Sequence, residues 1–189
     1  MIKNTVLKNR SYRRFEENFV VEKNTLRELV DLARFSPSAA NLQPLKYILS
    51  CDLEKNSKIF PNLKWAGYLE DWSGPEKGER PSAYIIILGD TEICKKFDCD
   101  HGIAAQSILL GATEIGLGGC MIGSIDREGL RKTLNIPPRY EIFLVLAIGR
   151  PKEKIEIETT GSDGNIKYWR DGKSTHHVPK RKLEDIILD

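Results

Sequence analysis

Leu26, Leu29, Val30 and Ala33 recur at three- and four-residue intervals and predict an amphipathic helix that runs to about Phe35. Thr25, with Glu28 three residues on, has the spacing of a capping box, and Ser36-Pro37-Ser38 stops the helix. Residues 46–51 read as a strand. Residues 83–89 (AYIIILG) form a continuous apolar run too short for a helix, which predicts a strand buried on both faces. Residues 100–117 read as a helix whose apolar and small positions (Ile103, Ala104, Ala105, Ile108, Leu109, Leu110, Ala112, Ile115) cover most of its circumference. Such a helix is central or lies at a subunit interface. Gly118-Gly119 is read as its end. A short strand over 120–125 follows, then a helix capped by Asp126 and running through Leu134, then a strong strand over 140–149.

Two stretches lack a clear period. Residues 56–81 mix Phe60, Trp65, Tyr68 and Trp72 with Gly74, Pro75, Gly78 and Pro81, which suggests a short helix and then an irregular excursion. Beyond Arg150 the chain is polar until Leu183, Ile186, Ile187 and Leu188. Strands and helices alternate irregularly, without a repeat. The expected class is α+β, with residues 1–189 as one domain and 150–189 as an extended tail.

Composition narrows the function more than the fold. The 29 basic and 27 acidic residues leave a net charge of +2, which gives no general field for nucleic acid or an anionic membrane. The opening MIKNTVLKNR has no apolar core of a leader, and no run reaches membrane-spanning length, so a soluble cytoplasmic protein is expected. Four cysteines in this context suggest reduced thiols. Cys94, Cys99 and His101 lack the second matching pair that a zinc site needs, so no metal is expected; His176 and His177 read as exposed loop residues.

The stretch Asn9-Arg-Ser-Tyr-Arg-Arg-Phe15 holds three arginines and a serine within five positions. Guanidinium groups offer a rigid fork of donors that matches phosphate or carboxylate oxygens. In an extended segment Ser11 and Arg13 share one face, and Arg10, Tyr12 and Arg14 the other. A second candidate is residues 36–44 (SPSAANLQP), small enough for close backbone approach and carrying Ser38, Asn41 and Gln43 as hydrogen-bonding groups. The basic triplet Lys180-Arg181-Lys182 is a third. Residues 116–123 (GLGGCMIG) look like a dinucleotide fingerprint but follow a helix and enter a strand, the reverse of what that fingerprint needs. Neither a P-loop lysine motif nor a G-x-S-x-G elbow occurs.

The order R-S-x-R-x-F, S-P-S-A-A-N-x-Q-P, a small-residue helix ending in GLGGCMIGSI, a strand ending in IGRP, and P-K-R-K-L-E-D-I resembles the FMN-dependent nitroreductase-like family. The resemblance spans nearly the whole chain. It implies a central mixed sheet flanked by helices, in a homodimer that exchanges C-terminal tails and holds FMN at its interface. It also assigns residues. Arg10, Ser11 and Arg13 look like the group that meets the phosphate, ribityl chain and pyrimidine edge. Pro37, Ser38, Ala39 and Asn41 belong to the loop that resembles the one approaching the ring from the other subunit. Ile122 and Gly123 match the backbone beside the reactive ring nitrogen. Lys180, Arg181 and Lys182 resemble the basic group that closes over the phosphate. Asn9 stands where the family usually has Arg, and Leu45 where many members place Trp.

The activity implied is oxidoreduction by a ping-pong cycle. NAD(P)H would reduce the flavin, leave, and be replaced by a small electron-poor acceptor such as a nitroaromatic or a quinone. No catalytic side chain is needed, because the flavin N5 carries the chemistry. Trp65, Tyr68 and Trp72 are either an aromatic wall for flat substrates or ordinary packing under a loop. Alternatives are a flavin-binding protein without turnover, or another reaction of the same superfamily such as reductive dehalogenation.

Overall fold

The apolar run that the sequence marks as a buried strand is the middle of the molecule. In a computed structural model that describes residues 2–188, β2 (Ala83–Asp90) is buried at every position. It lies between β1 (Leu45–Ser50) and β4 (Tyr140–Gly149), and β3 (Gly118–Ile122) completes a four-stranded sheet in the order β1-β2-β4-β3. All three pairings are antiparallel. Among the described residues, the sheet is mixed only through a single parallel bridge, Ser11 to Gly119 on the β3 edge.

Alternate residues of β2 feed two cores. Ile85 and Ile87 pack with Leu146 and Ile148 under α2 (Lys23–Arg34) and α4 (Asp100–Glu114). Tyr84, Ile86 and Leu88 pack on the other face with Ile59, Leu63, Trp65, Leu130 and Ile136. Those last residues come from α3 (Leu53–Ile59), the irregular stretch after it, and the region of α5 (Arg127–Leu134). An antiparallel strand can therefore be apolar throughout when helices cover both faces of its sheet.

The helix ends differ from expectation in two places. The N-cap of α2 is Glu22 without a side-chain bond, and Glu28 accepts instead from the Asn24 side chain at 2.6 Å. The capping box does not form, because the helix starts two residues before Thr25. Helix α4 ends at Glu114, and Gly116 just past its cap, at a φ of +77°, permits a bond from Leu117 N to Ala112 O at 2.8 Å. Gly118 and Gly119 open β3. Asp126 caps α5 as expected, accepting from Gly129 N at 3.0 Å.

Two elements carry no strong sequence signal. A short helix α1 (Ile2–Lys8) precedes the arginine-rich arm and buries no residue. The polar tail forms a three-stranded sheet in the order β5-β7-β6, with β5 (Ile155–Thr159) parallel and β6 (Trp169–Arg170) antiparallel to β7 (His176–Lys180). This sheet packs on the chain's own N-terminal arm. Leu183, Ile186, Ile187 and Leu188 beyond it are exposed.

Candidate functional site

The arm at residues 9–15 is extended, and its alternation sorts the side chains. Phe15 is fully buried, and Tyr12 lies where a side chain on Gly118 would have to be, 2.5 Å from an ideal Cβ. Arg14 forms a two-pronged pair with Glu79 at 2.5 and 2.7 Å. That bond, with a second from Lys152, holds the Glu79 carboxyl down to about 2. Arg14 is thus structural. Ser11 and Arg13 face the opposite way, into a cavity of about 390 Å³.

The cavity lies between the arm, α4, β3 and the tail. Gln106, Leu109 and Met121 line it from α4 and β3, and Tyr168, His176, Val178 and Lys180 from the tail. Strand β7 supplies alternate residues, as its period requires. Arg10 also borders the cavity, but its Nε and Nη2 donate to Asn9 O at 2.5 Å and Val6 O at 2.9 Å, at the C-terminus of α1. Arg13 Nη1 donates to Ser11 O at 3.1 Å and approaches His176 Nε2 at 3.3 Å. Its Cζ sits 4.8 Å over the Tyr168 ring. Among the described residues, Arg13 Nε and Nη2 have no protein partner.

A second cavity of about 400 Å³ shares Arg13, Met121 and Tyr168 with the first. Ile122 at the end of β3 lines it with Gly123 and Ser124 beyond the strand, together with Lys64, Trp65, Ala66 and Gly67. The two cavities meet along Arg13 and Tyr168. The sequence-derived assignments of Arg10, Ser11, Arg13, Ile122, Gly123 and Lys180 thus converge on one cleft. Arg181 and Lys182 are exposed past the end of β7 and line neither cavity.

The loop at 36–44 lies elsewhere in the chain. Pro37 and Ser38 line a third cavity with Tyr47 and Asp100, which shares no residue with the other two. Asp100 is the anchor that sequence reasoning missed. It is buried and accepts from Ser38 Oγ at 2.6 Å and Ala39 N at 3.0 Å. This loop holds Ala40, Asn41 and Gln43 at φ of 49°, 55° and 50°, left-handed values that non-glycine residues seldom adopt, with Leu42 between them right-handed. Asn41 is exposed and accepts from Gln43 Nε2 at 3.1 Å.

The three excursion aromatics separate. Trp65 is buried and lines the second cavity; Trp72 packs on the second core with Arg170 4.7 Å over its ring. Tyr68 is exposed, and its ring lies tilted against Tyr168 with the centroids 4.9 Å apart. Trp72 therefore belongs to packing.

Other residues were missed as well. Glu153 has a fully buried side chain and accepts from Arg13 N, Arg14 N and Arg170 Nη2 at 2.5, 3.2 and 3.0 Å. It ties the arm to the tail. His176 and His177 are buried in β7 at 1% and 8% exposure, which corrects their reading as loop residues. Burial, with the charges of Arg13 and Arg170, pushes His176 down to about 4. His101 stacks on Phe143 at 4.8 Å, and Cys94 Sγ bonds Lys96 O.

The sequence profile of the Nitroreductase family matches residues 6–83 and 82–150. The chain belongs to the nitroreductase family. A provisionally named NADH dehydrogenase/NAD(P)H nitroreductase of Archaeoglobus fulgidus is 28% identical over 153 residues, covering 77% of this chain and 82% of that one. An FMN-dependent nitroreductase from Clostridium difficile superposes with a TM-score of 0.64 at 25% identity, over 85% of this chain and 92% of that one. A nitroreductase family protein from Streptococcus pneumoniae matches over 100% of both chains, with a TM-score of 0.74 at 16% identity. Nitroreductase membership makes FMN the group to test against the cleft. The fit is good: an unpaired guanidinium edge and Lys180 supply cationic donors, while Leu109 and Met121 supply an apolar floor.

Proposed function

We propose that this chain is an FMN-dependent oxidoreductase that passes electrons from NAD(P)H to nitroaromatic, quinone or similar electron-poor acceptors. The observation that carries the reading is the Nε and Nη2 edge of Arg13, without a protein partner among the described residues, in a cleft of small-molecule size that Lys180, Leu109 and Met121 also line. Two relatives, one FMN-dependent and one named for NAD(P)H, support the same chemistry.

When bound, the flavin supplies the two-electron redox chemistry. The chain's own residues bind and orient. Arg13 and Lys180 oppose negative charge on the cofactor, and Ser11 adds a short donor beside Arg13. Gly123 lies one residue past the last ladder pair of β3, where backbone can approach a ring edge closely. Trp65 closes the far side of the second cavity. The loop with Pro37, Ser38, Ala39 and Asn41 would complete the site from a second copy, since in its own chain it opens on a separate cavity. Residues 9–13 and 168–180 build one wall together, which supports residues 1–189 as one functional unit.

Protein purified from a flavin-replete host is expected to be yellow and to release FMN, not FAD, on acid treatment. It is expected to oxidise NADH or NADPH steadily when a quinone or nitroaromatic is present. A colourless protein that takes up no added FMN would reject the reading. A yellow protein without turnover would reduce it to flavin binding alone.

A further inference from the structure

His176 has a more specific part in this cleft than its position in a polar tail suggests. Its backbone is fixed on both sides, paired to Arg170 of β6 and Ile155 of β5, and its N–H donates to Lys154 O at 2.8 Å. The imidazole is 1% exposed and lies 5.1 Å from the Tyr168 ring. His177, on the opposite side of β7, stacks on Trp169 at 4.1 Å and bonds Glu158 at 2.5 Å. The alternation of the strand therefore commits His176 to the cleft and His177 away from it.

The contact with Arg13 defines the tautomer. A guanidinium nitrogen only donates, so Arg13 Nη1 is the donor and His176 Nε2 the acceptor, at 3.3 Å. The ring is then neutral, with its proton on Nδ1, an atom that has no partner among the described residues. Arg13 Nη1 also donates to Ser11 O, and Tyr168 lies under the guanidinium plane. One nitrogen is thus held from two directions while the plane rests on a ring. The opposite edge, Nε and Nη2, is left to a ligand.

We propose that His176 is a positioning residue, whose neutral imidazole pins Arg13 Nη1 so that Nε and Nη2 are presented as a fixed donor pair to the flavin. The inference rests on the proposed function for the identity of the ligand. Pinning matters because a free arginine side chain gives up rotamer entropy on binding, and a pre-oriented fork loses less of it.

The test is a double-mutant cycle read by FMN affinity, using fluorescence titration of the full chain at neutral pH. Arg13→Ala is expected to weaken binding on the order of tenfold to a hundredfold, the cost of a charged hydrogen-bonding partner. His176→Leu should weaken it by about tenfold in the wild-type background and by less than about twofold in Arg13→Ala. His176→Gln, which keeps an acceptor near the Nε2 position, should stay within about threefold of wild type. Merely structural loss would multiply with Arg13→Ala and would not be rescued by Gln.

Multiplying effects, a Gln variant as weak as Leu, or a Leu variant that binds like wild type would each overturn the proposal. If His176→Leu fails to fold, His176→Gln and its double variant with Arg13→Ala keep the comparison open. Wild-type protein that binds no FMN would instead reject the functional reading. The same cycle in urea midpoints then judges the contact alone: coupling would keep Arg13 pinned for another ligand, and additivity would overturn the pin as well.

Discussion

Arg13 and His176 meet across 163 positions of sequence, and their proximity has a consequence for acid stability. His176 ordinarily titrates at 6.5; burial first, then Arg13 and Arg170, push it down to about 4. Between those values the unfolded chain binds a proton that the folded chain refuses. Stability should therefore fall as pH drops from 6.5 to about 4. His177 works in a different window. Burial pulls it down, but Glu158 and Asp171 raise it on balance, so its contribution is complete below 6.5 and fades as pH rises above that. Glu79, held down to about 2 by Arg14, loses its contribution only below 4.5. Urea midpoints at pH 7 and pH 5 should thus drop more for wild type than for His176→Leu. An equal drop would show that His176 is not held neutral.

At the scale of elements, β3 depends on having no side chain at its second position. An ideal Cβ on Gly119 would stand 2.6 Å from Ala147 O on β4 and 2.6 Å from Leu109 Cδ2 on α4. Backbone on one side and a core side chain on the other leave β3 nowhere to shift without losing the ladder. Gly119→Ala is expected to cost about 1–3 kcal/mol in urea unfolding, the usual range for overpacking. It should also weaken FMN binding, because Met121 and Ile122 shift with the strand. Gly67, which has nothing within 4 Å of an ideal Cβ, is the control, and Gly67→Ala should unfold like wild type. A neutral Gly119→Ala would mean that β3 is less tightly seated than these contacts require.

At the scale of the whole molecule, several apolar side chains remain exposed on the single chain. Helix α1 buries nothing and exposes Ile2, Val6 and Leu7 at 71%, 42% and 49%. On α4, Gly102 and Gln106 are exposed and Ile103 and Leu110 half-buried. The small residues of α4 are less available than its sequence suggests. Ala104, Ala105 and Ala112 are buried in the first core, and a Cβ on Gly111 would meet Leu32 of α2 at 2.3 Å. What remains for a second copy is the outer stripe of α4, α1, and the exposed Leu183, Ile186, Ile187 and Leu188. We propose a homodimer through these surfaces, with tail exchange limited to the residues beyond β7. Obligate interfaces bury roughly 2,000–5,000 Å². Sedimentation should give a dimer at micromolar concentration, and truncation before Val178 should loosen both dimer and flavin, since it also removes Lys180 from the cleft. A monomer, or a truncated dimer with full flavin occupancy, would defeat the proposal. Among the described residues, no helix is long and apolar enough to cross a membrane.

Most of the fold was written locally. The two-sided burial of β2, the four sheet strands, α4 and the Asp126 cap all follow from periods and caps that a window of a dozen residues contains. The alternation of Ser11 and Arg13 against Tyr12 and Arg14 is equally local, because an extended chain has a period of two whatever surrounds it. The partners of those residues are another matter. Glu153, Tyr168 and His176 sit in a tail whose polar sequence shows no period, and they become site residues only because β5, β6 and β7 fold back on the arm. Asp100 likewise reads as the first residue of a helix and acts as the anchor of a loop 61 and 62 positions away. The sequence determined the elements of the central sheet and its covering helices, and the chemistry each could offer, since both depend on near neighbours. Which donors meet which acceptors was decided by tertiary structure alone, because long-range closure sets those distances and no local pattern encodes them.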